Sequence, residues 1–389
     1  MNKKHIAIIA LGLAVSASAA FAEEAVAQVP AEAAEAASEE SIYDKIWGAA
    51  ELYKNNDGKV LQSLAFTGRL QGDAVNFQNE DSSHDDTDWR RLRLGFKAKV
   101  FDDFTLHSEM DLNMNEADSD SWDKFYKRLT DSYLKWAPSK DLSLKVGKQS
   151  AGFTLDGATS SKKLIVPERS IVARNIWFGT EYFTGASVTG KNNDWSYNVG
   201  GFSSSGEDEF GHFDSGYFAL LSAGHTIGED GSLRLDYVYN DPDYSTDYSV
   251  GTRNLKHVVS LVYKDMLNEK LGFWSDISWA QGISGQSDLV GIDLMPFYNL
   301  TEELQLVLQY AGVSSLNNKS DVNMARYASK NSGQKVETAH NLLLGFNWYL
   351  YGHKLKWQNA IEYNHGDRLA DGGGTYKGYG LTSGLRLSW

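Results

Sequence analysis

From Lys59 to Trp389 apolar and polar side chains alternate with a period of two. In a strand, that period puts successive side chains on opposite faces. The alternating segments fall at 59–74, 88–101, 103–115, 128–137, 140–149, 176–190, 193–204, 214–228, 231–241, 253–265, 268–281, 286–300, 302–314, 337–351, 353–365 and 377–389, which predicts sixteen strands. Segment 88–101 carries Leu92, Leu94, Phe96, Ala98 and Val100 on one face and Arg91, Arg93, Gly95, Lys97 and Lys99 on the other. If the apolar face meets lipid, the cations must face a lumen, because a cation at the bilayer midplane costs about 2–4 kcal/mol. The next segment sets Phe104, Leu106, Met110 and Leu112 against His107, Glu109, Asp111 and Asn113, so an acidic column stands beside the basic one. Such a wall cannot enclose a packed core, and at sixteen strands a barrel is wide enough for water.

The connections alternate in length. Short turns such as Phe101-Asp102-Asp103, Pro138-Ser139-Lys140, Lys191-Asn192-Asn193 and Tyr351-Gly352-His353 take turns with longer polar loops at 75–87, 116–127, 150–175, 205–213, 242–252, 282–285, 315–336 and 366–376. Short periplasmic turns and long outer loops are the pattern of membrane barrels. The expected fold is therefore all-β: a 16-stranded antiparallel transmembrane β-barrel over residues 59–389, with both ends on the periplasmic side.

The rest of the chain fits an exported protein. Lys3 and Lys4, the apolar stretch 6–15 and Ala20-Phe21-Ala22 form a signal peptide over 1–22. Residues 23–58 read as a periplasmic leader, Ala/Glu-rich at first, with helix-spaced Ile42, Ile46, Ala49, Leu52 and Tyr53 near its end. There is no Cys, so disulfides cannot stabilise the exported chain, whereas a closed barrel leaves no sheet edge open. Aromatics are plentiful, with 11 Trp, 20 Tyr and 17 Phe, as the two interfacial girdles of a barrel require. Without Lys3 and Lys4 the chain has 35 basic against 51 acidic residues, a balance of about −16, which excludes nucleic acid as a partner.

Candidate chemistry sits in the loop 150–175. It joins an apolar patch, Leu164-Ile165-Val166, to Lys162, Lys163, Arg169 and Arg174. That combination predicts a loop folded into the barrel, where cations at a constriction select anions. No GxSxG elbow or HExxH pair occurs and the nine His are scattered, so no enzyme activity and no cofactor are expected. The acidic runs Glu207-Asp208-Glu209 and Asp241-Pro242-Asp243 read as solvated loop charge, with Ca²⁺ binding the alternative.

Several stretches resemble the phosphate-selective porin O and P family. They are Trp89-Arg90-Arg91-Leu92-Arg93-Leu94-Gly95-Phe96-Lys97, Phe101-Asp102-Asp103-Phe104, Leu144-Lys145-Val146-Gly147-Lys148-Gln149 with Phe153, and Thr159-Ser160-Ser161 through Pro167-Glu168-Arg169-Ser170 to Arg174-Asn175. The final strand, ending on Trp389, is similar to the C-terminal strands through which outer-membrane barrels meet their assembly machinery. The resemblance implies a porin in outer-membrane lipid, usually a homotrimer, whose inward loop and arginines conduct small anions such as phosphate. Arg90 and Arg91 look like the family's paired arginines. Candidate pore-lining or anion-binding residues are Arg90, Arg91, Arg93, Lys97, Lys99, Lys162, Lys163, Arg169 and Arg174. A general porin for small hydrophilic solutes, and a surface barrel serving adhesion, remain the alternatives.

Overall fold

The computed structural model describes residues 41–115 and 124–389. The signal peptide expected at 1–22 and the first part of the leader lie outside the described residues. A short strand β1 (Glu51–Lys54) precedes the ring. Its first eight strands are β2 (Leu61–Asn79), β3 (Ser83–Val100), β4 (Phe104–Leu112), β5 (Tyr126–Ser139), β6 (Leu142–Ser150), β7 (Tyr182–Asn192), β8 (Trp195–Ser203) and β9 (Gly216–Ile227). Eight more follow: β10 (Gly231–Pro242), β11 (Leu255–Met266), β12 (Leu271–Gly282), β13 (Leu289–Asn299), β14 (Leu304–Ser315), β15 (Thr338–Tyr351), β16 (Leu355–Asp367) and β17 (Tyr376–Ser388). Each pairs antiparallel with its sequence neighbour, and β17 closes on β2 through Leu387↔Leu70 and Leu385↔Gly72. Closure satisfies every ladder without an edge, which a membrane demands.

The faces follow parity. Phe96, Leu381 and Leu385 are about half exposed on the outer wall, at 52%, 51% and 53%. Arg93 and Thr382, on the opposite parity, are each 1% exposed inside. Across β14 to β17 the outward row Leu308, Leu344, Ile361, Leu381 is continuous in register, a lipid-facing band.

Turns at the periplasmic end span two to four residues, whereas the outer connections are mostly longer. The stretch 75–87 departs from the expected loop: β2 and β3 run on as a long hairpin, with Asn76↔Asp85 and Gln78↔Ser83 paired. On β2 the alternation runs on, with Val75 and Phe77 buried, but Ser83 to Asp88 of β3 are polar at every position, so the period that marks a strand disappears there. Short helix α1 (Ile42–Gly48) starts at a capping box between Ser41 and Asp44 and packs at the periplasmic end, with Tyr43 stacked on Tyr351 at 5.3 Å. The helix stops short of the expected helical spacing at 49–54. There Glu51–Lys54 pairs with the part of β2 that projects past Trp389 and covers its open ladder groups.

The connection between β6 and β7 folds inward and holds helices α2 (Leu155–Ala158) and α3 (Ile171–Asn175). Leu155, Val166, Val172, Ile176 and Phe178 are all fully buried there. Asp236 of β10 accepts from the Thr154 N–H at 3.0 Å, and Asp276 of β12 accepts from the Leu155 N–H at 2.7 Å. Arg69 of β2 donates to the Ser161 hydroxyl at 2.7 Å, and Arg386 of β17 donates to the Pro167 carbonyl at 3.0 Å. Strands β2 and β10 stand on opposite sides of the ring, so the loop crosses the lumen from wall to wall.

Candidate functional site

The inward loop and the outer ends of β3, β4 and β5 enclose a cavity of about 390 Å³. Nine cations line it: Arg90, Arg91, Arg93, Lys127, Arg128, Arg169, Arg174, Arg253 and Arg326. Against them stand four acids, Asp88, Asp111, Glu168 and Glu181. Arg90 and Arg91 both reach inward because a bulge opposite Gln71/Gly72 interrupts the alternation of β3.

The acids are all engaged. Arg90 pairs with Glu168 in a two-pronged contact, and Arg326 holds Asp88 at 2.7 Å. Arg93 reaches Asp111 at 3.1 Å and Glu181 at 3.3 Å, while Arg128 lies 3.5 Å from Asp111 and Arg169 lies 3.4 Å from Glu181. Burial alone would raise the Glu168 and Glu181 carboxyls, but the surrounding guanidinium groups hold both well below the usual carboxylate range. They stay anionic and fix the loop.

Four cations keep no carboxylate partner among the described residues. Arg91 donates only to the neutral Gln71 amide, at 2.8 Å. Arg174 has a buried Nε with no hydrogen-bond partner. Burial and the neighbouring Arg326 push its guanidinium below the ordinary value. Arg253 donates to the Trp177 carbonyl at 2.6 Å and to that of Arg174. Burial brings Arg253 down to about 10, so it remains charged at neutral pH. Lys127 lies exposed at the rim. Buried guanidinium groups without a counter-charge suit a water-filled site that attracts an oxyanion.

The structure divides the sequence-predicted cations into two tiers. Arg90, Arg91, Arg93, Arg169 and Arg174 share the cavity. Lys97 and Lys99 lie lower on β3, exposed near the periplasmic end. Lys162 donates to the Trp389 backbone oxygen at 3.1 Å, so this arm of the loop also faces that end, and Lys163 follows it in sequence. Lys127, Arg128, Arg253 and Arg326 were missed, because they come from three separate connections or strand ends and no local pattern ties them together.

Residues 64–248 match the family model described as phosphate-selective porin O and P. That match spans a little under half of the chain, which is similar to this family there, and as a closed sixteen-stranded barrel the chain is an outer-membrane porin. No curated sequence matches it. Among solved structures, this porin is similar to the outer membrane channel DcaP of Acinetobacter baumannii, at 14% identity and a TM-score of 0.56 over 87% of this chain and 99% of that one. It is similar also to an anion-selective porin from Comamonas acidovorans, at 12% identity and a TM-score of 0.57 over 84% and 99%. Salmonella typhi OmpF in complex with daunomycin aligns at 13% identity and a TM-score of 0.59 over 87% and 100%. These likenesses establish the barrel fold. The porin provides a passive route for small hydrophilic solutes across the outer membrane.

Proposed function

We propose that the channel prefers small anions, phosphate among them, and that the arginine-lined cavity is its outer selectivity site. The observation that carries this reading is the excess of five cations over the four acids in its lining. Arg91 and Arg174, free of carboxylates, attract the permeant, and Arg90, Arg93 and Arg169 fix the loop through Glu168 and Glu181. The anion then passes the loop toward Lys162, Lys163, Lys97 and Lys99. Each step binds strongly enough to admit the ion and weakly enough to release it. The similarity to an anion-selective porin supports the preference. Export by residues 1–22, a leader over 23–58 and the barrel over 59–389 complete the organisation. The working unit is a homotrimer inserted through its C-terminal strand, a reading supported by the trimer form described for the similar Vibrio cholerae OmpT.

Reversal potential in planar bilayers under a salt gradient tests the preference. An anion-biased potential is expected, and Arg91→Ala with Lys163→Ala is expected to move it toward zero. A cation bias in the unaltered channel, or a double variant with unchanged potential, overturns the assignment. The absence of conductance steps in correctly folded protein favours the adhesion alternative.

The lower tier carries a pH signature. Burial, with Arg69 adding repulsion, pushes the Lys162 ammonium down to about 8. Below that value the side chain is charged; above it the charge is lost. Anion bias is therefore expected to shrink between pH 7 and pH 9. Lys162→Arg, which stays charged throughout, is expected to flatten the profile. An equally steep profile in that variant assigns the titration elsewhere.

A further inference from the structure

Beside the arginine-lined cavity, on the outer side of the inward loop, lies a second chamber of about 330 Å³ with different chemistry. Gly179 and Arg253 line both spaces, so the two adjoin at one point. Beyond Arg253 and the exposed Lys335 at the rim, the polar wall of the second chamber is neutral, made of amides and hydroxyls.

Part of that wall is fixed. The Asn175 amide donates to the Asn323 carbonyl at 2.8 Å, and its Oδ1 accepts from the Asn323 backbone N–H at 2.7 Å. Thr180 donates to the Gly251 carbonyl at 2.7 Å. Two other groups are unmet. The Thr252 hydroxyl and the Gln286 Nε2 are buried and have no hydrogen-bond partner among the described residues. Buried donors and acceptors call for a partner, and neither Thr252 nor Gln286 lines the arginine-rich cavity.

We infer that the two chambers form one bipartite site for a small organic anion with a hydroxylated body, a sugar phosphate being the model solute. The oxyanion sits among Arg91, Arg174 and Arg253, and the hydroxyl groups bond Thr252 and Gln286. This rests on the reading of the arginine-lined cavity as an anion site. A site built to hydrogen-bond a solute hydroxyl discriminates strongly against analogues that lack it.

The test is block of chloride current through the full-length channel in planar bilayers by glucose 6-phosphate, inorganic phosphate and glucose. Glucose 6-phosphate is expected to half-block at about a tenfold lower concentration than phosphate, the ratio that one net hydrogen bond supplies. Glucose alone is expected to block weakly. Thr252→Val with Gln286→Leu is expected to erase the advantage of the sugar phosphate while leaving phosphate block in place. Equal half-block by the two phosphates in the unaltered channel, or an advantage that survives the double variant, overturns the inference alone. If neither phosphate blocks, the anion-site reading fails and takes this inference with it.

Discussion

Arg93→Ala is expected to lower the thermal unfolding transition of the barrel and to free the C-terminal arm of the inward loop. The side chain is 1% exposed and touches Asp111 and Glu181, with Glu109 at 4.0 Å and the Tyr182 hydroxyl in contact. Its guanidinium also lies over the Tyr182 ring, 4.9 Å from the centroid. Truncation leaves three carboxylates facing one another in a buried space. Losing one partner of a buried ion pair costs about 3–5 kcal/mol, since the remaining charge is left uncompensated. Arg128 and Arg169 still hold Asp111 and Glu181, so the barrel should fold, at the lower end of that range. The readout is the temperature at which the compact band of unheated protein gives way to the unfolded band on a gel. Arg93→Lys keeps the charge but not the fork of donors, and its transition should fall between the two. An unchanged transition in Arg93→Ala would show that the cluster contributes no net stability. Anion bias should fall too, because a cation leaves the cavity while Glu109 and Glu181 lose part of their neutralisation.

Much of the barrel was legible because a lipid-exposed wall imposes a strict rule on every second residue. Leu342, Leu344 and Phe346 against Asn341, Gly345 and Asn347 could be read without any tertiary knowledge, and sixteen strands appear, although the one expected from 176 begins only at Tyr182 because Ile176, Trp177 and Phe178 are buried in the inward loop. The rule failed where the environment changed. On the upper part of the β2–β3 hairpin, Ser83 to Asp88 are polar on both faces and gave no alternation, although Val75 and Phe77 on β2 are buried, Phe77 against Tyr327 at 5.6 Å. The hairpin's strand geometry is supported instead by a helix, α4 (Arg326–Ser332), in the connection between β14 and β15. From it Tyr327 donates to Asp73 at 2.8 Å and Lys330 lies 3.1 Å from Asp86. These contacts span more than two hundred residues of sequence.

The site was half legible for a related reason. Lys162, Lys163, Arg169 and Arg174 lie close together in one loop whose apolar patch pointed inward, and Arg90 to Arg93 are consecutive or alternate on one strand. What could not be read was which charges cancel. Glu168 and Glu181 sit in or just after the same loop as Arg169, yet Glu168 answers Arg90 and Glu181 answers both Arg93 and Arg169. The net field therefore depends on pairings between strand and loop that only the closed ring brings into contact. Arg253 shows the same limit: its donors hold the carbonyls of Arg174 and Trp177, nearly eighty residues away.

Asp236→Ala combined with Asp276→Ala is expected to undock the N-terminal arm of the loop, raising single-channel conductance and weakening ion discrimination together. These two carboxylates accept the backbone N–H groups of Thr154 and Leu155, just where the chain leaves β6 and enters α2. Both are almost fully buried, at 1% exposure each. Hydrogen bonds to a charged acceptor contribute about 1.5–3 kcal/mol each. Asp236 is also bound by Arg234 at 2.9 Å, whose Nη2 donates to the Thr154 carbonyl at 2.8 Å, so the double change removes the acceptors of two successive N–H groups and leaves Arg234 without the carboxylate that positions it. The loop's other tethers, from Arg69 to Ser161 and from Arg386 to Pro167, remain. Loss of one anchor and not the other leaves the loop hinged on the β17–β2 side. The ring itself should keep its thermal transition, since the ladders of β10 and β12 depend on backbone pairing rather than on these side chains. That separates this variant from Arg93→Ala: one widens the pore with the wall intact, the other destabilises wall and loop together. Unaltered conductance and reversal potential in the double variant would show that the loop's position does not set the permeability barrier.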